Sequence, residues 1–344
     1  MRLIAVRGHD VPLADRIDLG ERASGLGRPA AGRRAARHAV GVRALSRQLV
    51  STVSVTSLIV VLTACAYGAG HAQSKKASTQ PAPPNVGSGD VVAVRATLLP
   101  ASVQQGALVV GSTHMAATVE YAGKSLRVSP SGRFVFAIGR DATGTAIVKI
   151  KQPGTGVIEH RIVVAPRNWP IETINGVPPA TVNPPPEIAA RIAREQSSVA
   201  AVRTRDDARE DFAQPFIWPV QGRISGRFGN QRVYNGTPKT PHSGMDIAAA
   251  NGTAVKAPAA GIVTFASASL YLTGGTVVID HGAGVSSNFL HLSRIDVKAG
   301  DRVKQGQVFA AVGATGRATG PHLHWGMNWF DVRIDPLLVL ELAK

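Results

Sequence analysis

At 344 residues, with a formal net charge of +16 and one cysteine, the chain has room for two domains and cannot form an internal disulfide. The charge is uneven: residues 1–72 hold ten arginines against four acids, and the other 272 residues carry +10 without a basic run. That spread argues against a dedicated nucleic-acid surface and for a mildly basic surface that meets an acidic polymer.

Residues 1–47 read as a disordered basic tail or a misassigned start, rich in Gly, Pro and acids as well as Arg. Residues 49–66 (LVSTVSVTSLIVVLTACA) are apolar and uncharged, with Arg43 and Arg47 before them, the order of a secretory signal spanning 48–72. Their Ser and Thr content makes a poor permanent membrane helix. Two endings fit. Leu62-Thr63-Ala64-Cys65 resembles a lipobox, which would make Cys65 a lipid-anchored N-terminus, whereas Gly70-His71-Ala72 is a small-x-small site for cleavage before Gln73. Either one predicts an exported protein of the periplasm or cell envelope, and the first adds a membrane anchor.

Residues 73–90 are a Pro/Ser/Gly linker. Over 91–170 the text turns strand-like: Phe134, Phe136 and Ile138 alternate, and Ala146, Val148 and Ile150 alternate against Thr145, Lys149 and Lys151. Short strands over about 80 residues predict a small β-sandwich. Its histidines, His114 and His160, have no ligand-type neighbour in sequence and read as packing or surface residues. A Pro-rich linker and a helix follow over 171–215, where Ile188, Ile192, Val199 and Val202 recur at helical spacing behind Pro186-Glu187. The stripe is thin, and a spacer helix is expected. From 216 to 344 β-rich segments return between many glycines, predicting an antiparallel β domain with almost no helix. The expected fold class is therefore mainly β.

The chemistry is concentrated in that last segment. His242-Ser243-Gly244-Met245-Asp246, His291 and His322-Leu323-His324 supply five residues of metal-ligand or proton-transfer type. A zinc ion that cleaves peptide bonds needs three N or O ligands, an open position for water, and a base beside that water. His322 and His324, two apart on a strand, share a face. Either pair alone is a weak signal; the combination is stronger. His281, behind Asp280 at a strand end, reads as a structural hydrogen-bonding residue. No H-E-x-x-H string occurs, which excludes a helix-borne zincin site.

Residues 216–344 resemble the LytM-domain, or lysostaphin-type, zinc metallopeptidases that cut the peptide part of peptidoglycan. The likeness runs through Ile224-Ser225-Gly226-Arg227-Phe228-Gly229, His242-x-Gly-x-Asp246, Val278-Ile279-Asp280-His281-Gly282, Leu290-His291-Leu292-Ser293 and the Gly313 to His324 run. The resemblance implies a duplicated hybrid motif fold and one Zn2+ held by His242, Asp246 and His324. It implies His322 as the catalytic histidine of the H-x-H pair and His291 as the second, beside the oxyanion. It further implies a peptidoglycan stem-peptide or cross-bridge substrate. The Arg-rich, Lys-poor composition and the lipobox-like string suit a Gram-negative envelope, which makes a D-alanyl–diaminopimelate cross-link the expected bond and a glycine bridge the alternative. One departure stands out: after H-L-H the family often has Phe-Glu, and this chain has Trp325-Gly326. The competing expectation is a non-catalytic LytM-like module that activates other wall hydrolases. A lipoyl or biotinyl carrier, suggested by Gly300-Asp301 and Gly306-Gln307, lacks an acceptor-lysine hairpin.

Overall fold

The computed structural model describes residues 95–342. The expected tail, signal segment, Cys65 and first linker lie outside the described residues. Among the described residues no helix is long and apolar enough to cross a membrane.

The first described region builds a five-stranded sheet in the order Ser102–Gln104, Val157–Ala165, Thr145–Lys151, Thr118–Tyr121, Lys124–Leu126. Period-two alternation explains it: Ala146, Val148 and Ile150 are buried while Thr145, Lys149 and Lys151 face water. A second ladder pairs Leu108–Ser112 with Arg133–Ala137. On Arg133–Ala137 the expected alternation is incomplete, because Val135 and Ala137 are buried along with Phe134 and Phe136. The reason is tertiary: the strand packs against His322–Trp329 and Val332–Ile334 of the C-terminal half. One hydrophobic cluster accordingly runs through both β regions. Arg167 Nη1 reaches buried Asp335 Oδ2 at 2.8 Å and helps join them.

The segment between them is more than a spacer. Ile171–Ile174 adds in parallel to Gln231–Tyr234, which turns back into Thr237–Pro238. Asn235 and Gly236 both sit at positive φ, the backbone that a two-residue type I′ hairpin demands. The helix Pro186–Ala201 starts with proline in its first turn and buries none of its residues. Arg191 Nη2 donates to Ser269 O at 3.1 Å, and Glu195 Oε2 accepts from Tyr271 N at 2.8 Å. These contacts hold the helix against the C-terminal sheet. Its half-buried stripe of Ile192 and Val199 faces the groove described below.

In the C-terminal half the main sheet runs Arg302–Val303, Gly261–Leu270, Gly274–Asp280, Val285–Leu292, His322–Trp329, Gly244–Ala248, Arg223–Gly226, with Val332–Ile334 paired to His322–Trp329. Each of these ladders is antiparallel. A smaller sheet of Ala254–Lys256, Val308–Ala311 and Arg294–Ile295 accompanies it. Met245, Ile247, Phe289, Phe309, Leu323 and Trp325 are fully buried between elements, Phe289 and Phe309 with ring centroids 4.9 Å apart. Because side chains alternate, burying Leu323 and Trp325 on one face sends His322 and His324 to the other. The chain closes with the helix Pro336–Glu341, capped where Asp335 accepts from Leu337 N at 2.9 Å.

Candidate active site

Sheet register brings the candidate residues together. Asp246 lies directly opposite His324, and Ala248 opposite His322. His242 precedes its strand and is pinned from the backbone: its N–H donates to Asn230 O, and its carbonyl accepts from Gly229 N, both at 2.9 Å. The ring then turns inward. His242 Nε2 lies 3.0 Å from His324 Nδ1 and 3.0 Å from Asp246 Oδ1, and His324 Nδ1 lies 2.8 Å from the same oxygen. Three electron-rich atoms thus form a triangle about 3 Å on a side.

The triangle is short of protons. His242 Nδ1 donates to Arg227 O at 3.0 Å, so its Nε2 presents a lone pair to the cluster. A hydrogen on His324 Nδ1 can bridge only one of its two neighbours, which leaves lone pairs facing each other along at least one edge. Asp246 is ionised as well: burial acts to raise its carboxyl, but hydrogen bonds and charge from His242 and His324 hold it well below the usual range. Burial pushes the His324 imidazole down to about 3, despite the carboxylate beside it, so that ring is neutral at pH 7. Two imidazoles and a carboxylate, all buried and convergent, could hold a metal ion. The two-nitrogen, one-oxygen set suits zinc.

Two further histidines stand beside the triangle. His322 Nδ1 donates to Gly320 O at 2.9 Å, and its Nε2 sits 3.9 Å from Asp246 Oδ1, beyond hydrogen-bond reach. His291 lies against it with ring centroids 4.8 Å apart. His291 has φ +64°, left-handed backbone that a non-glycine residue adopts only at a cost. Its Nδ1 donates to Thr315 O at 2.8 Å, which fixes the ring, and burial pushes its imidazole down to about 4. All five candidates therefore line one groove of about 1530 Å³.

Sequence reading missed two residues that support Asp246. Arg232 Nη2 donates to Asp246 Oδ2 at 2.6 Å and its Nη1 to Tyr234 Oη at 3.0 Å. Glu172 Oε2 holds the Arg232 Nε at 3.4 Å and takes Asn230 Nδ2 on its other oxygen at 2.6 Å. Gly226 makes the contact possible, since a Cβ there would come within 2.5 Å of Asp246 Oδ2. The signal was register, not motif: only the parallel pairing of Ile171–Ile174 with Gln231–Tyr234 puts Glu172 beside Arg232.

Residues predicted to be bystanders are placed elsewhere. His281 is fully buried, its Nδ1 donating to Ala260 O at 2.7 Å and its Nε2 accepting from Ser287 Oγ at 2.8 Å. His114 and His160 lie in the first β region, away from the cluster. Gly326, where the family often has Glu, leaves room on the groove floor for Asn288, whose Oδ1 would meet a Cβ there at 2.2 Å.

Residues 240–336 match the family described as Peptidase family M23. A crystal structure from Pseudomonas aeruginosa assigned to peptidase M23 is 33% identical, covering 70% of this chain and 95% of that one with a TM-score of 0.54. Peptidoglycan DD-endopeptidase ShyA of Vibrio cholerae is 42% identical over 111 residues, 31% of this chain and 26% of its own. The DD-carboxypeptidase/endopeptidase Mpg of Neisseria meningitidis is 44% identical over 120 residues, 35% of this chain and 27% of its own. The chain thus spans about a quarter of the length of these curated relatives. With a family match centred on the histidine groove, and a solved neighbour covered almost end to end, this chain belongs to peptidase family M23, of the LytM type.

Proposed function

We propose that this M23 peptidase is an exported, zinc-dependent endopeptidase that hydrolyses peptide cross-links of peptidoglycan. The observation that carries the reading is the triangle of His242, Asp246 and His324, three buried lone-pair atoms that a divalent cation would satisfy. These three would hold Zn2+, which when bound polarises a carbonyl and makes a water acidic near neutral pH. The peptidoglycan relatives support the substrate class, and the signal-like segment at 48–72 supports export.

The chain's own residues then have distinct tasks. His322, with its Nδ1–H held by Gly320 O, offers Nε2 as the acceptor for the proton of an attacking water. Once charged, the same ring can return that proton to the leaving amine. His291 carries the same tautomer, so its Nε2 accepts in the resting state. Holding a developing oxyanion would require His291 to carry a proton of its own on Nε2, because the one taken from the water is committed to His322 and the leaving amine. Arg232 keeps one Asp246 oxygen occupied, so that the other stays aimed at the two imidazoles.

Two measurements test this reading. The purified protein should carry about one zinc per chain and lose activity on cross-linked muropeptide dimers after chelation, regaining it with added zinc. A metal-free protein that leaves dimers intact would favour the regulatory module instead. Arg232→Gln should weaken zinc affinity by about 10–100-fold without unfolding the sheet, read by competition with a chromophoric chelator. Unchanged affinity would remove Arg232 from the supporting role.

A further inference from the structure

The groove does not end at the histidines. From His324 the same strand continues through Gly326 to Asn328, all on one face. At about 3.3 Å per residue, Asn328 stands about 13 Å beyond His324. Arg333 sits directly opposite Asn328 on the neighbouring strand, and its Nη1 donates to Asn328 Oδ1 at 3.0 Å. On the helix side of the same groove lies Arg203, in the turn Val202–Thr204 that ends the long helix. Its Nε is buried without an acceptor, and so is Asn328 Nδ2.

Neither guanidinium is matched by a carboxylate among the described residues. Burial lowers Arg203, and burial together with the Arg203 charge brings Arg333 down to about 10. The other groove arginines have partners or water: Arg232 is paired to Asp246 and Glu172 and Arg140 to Asp141, Arg317 donates to Thr181 O and lies over the Tyr234 ring, and Arg223 is exposed. Two partly buried cations acting on each other, with donors to spare, are costly unless an anion joins them. A carboxylate suits the planar fork of arginine, which can bind both its oxygens at once.

We propose that Arg203 and Arg333, the latter held by the buried Asn328 beneath it, form an anion subsite that takes a carboxylate of the peptide whose scissile bond lies at His322 and His324. The inference rests on the peptidase reading above. A span of about 13 Å corresponds to about four extended residues, so the recognised carboxylate lies that far along the chain from the cut bond. Peptides of peptidoglycan carry free carboxylates and fit this requirement. Binding there would also bridge the end of the helix to the sheet.

The test uses the full zinc-loaded protein and purified cross-linked muropeptide dimers, either native or with their carboxylates converted to amides. R333Q and R203Q should each raise KM for the native dimer by about tenfold, and amidation should do the same to the wild type. On the amidated dimer variants and wild type should converge, because the charge they recognise is gone. Thermal midpoints are measured alongside, and R203Q, on the helix, serves if R333Q fails to fold. Equal KM for native and amidated dimers in the wild type overturns the subsite alone, as does an R203Q loss that persists on the amidated dimer. A wild type that cuts neither dimer overturns the peptidase reading and the subsite with it.

Discussion

Replacing His322 by alanine is expected to lower kcat on cross-linked dimers by about 10²–10⁴-fold while zinc content and thermal midpoint stay near wild type. The expectation follows from where the two H-x-H rings stand. His324 Nδ1 lies inside the triangle, 3.0 Å from His242 Nε2 and 2.8 Å from Asp246 Oδ1. His322 lies outside it, its nearest approach to that oxygen being 3.9 Å. Its free Nε2 faces the groove and its side chain keeps some exposure, as a group that exchanges protons with a substrate must. Asp246→Ala should behave differently, losing zinc and activity together and leaving Arg232 with Glu172 alone. The informative comparison is therefore metal content against rate. If His322→Ala loses zinc as fully as Asp246→Ala does, His322 is a ligand, and the assignment of base and ligand within the pair is reversed.

How much of this was legible beforehand depends on the range of the interaction. The alternation of Ala146, Val148 and Ile150 announced its own strand, because period two is local and one face meets water. The shared face of His322 and His324 was legible for the same reason. Sequence spacing did not separate their positions, since that depends on which ring Asp246 meets across the ladder. Val135 is buried beside the alternating Phe134 and Phe136 because its face is covered by strands nearly 200 residues away. Arg232 and Glu172 were invisible as functional residues, since parallel pairing of two short strands, 60 residues apart, brings them together. Ile192 and Val199 recur at helical spacing within the helix Pro186–Ala201, but what they face is decided by tertiary anchors at Ser269 and Tyr271. His291 shows the limit most clearly: nothing local marks it for left-handed backbone, which the fold imposes to turn its ring toward His322.

His281→Asn should destabilise the protein near neutral pH, and its deficit relative to wild type should shrink by about 3 kcal/mol between pH 7.5 and pH 4. His281 is fully buried between Ala260 O and Ser287 Oγ, with the Phe216 ring edge-on at 5.1 Å. Burial drives its imidazole down to about 4, from 6.5 in an unstructured chain. Between those values the unfolded chain binds the proton more readily than the folded one, so stability rises with pH across that window. The contribution is fully present above pH 6.5 and is lost as pH falls toward 4. His291 and His324 are lowered by burial too, so the wild type alone cannot isolate the effect. The difference between wild type and variant can, because His281 lies apart from the groove and its substitution leaves the other rings in place. Asparagine keeps a donor near Ala260 O and carries no titrating group, which makes it the right probe. Urea unfolding of both proteins at several pH values gives the two curves, and a gap that does not change with pH would mean that His281 is not the neutral buried ring described here.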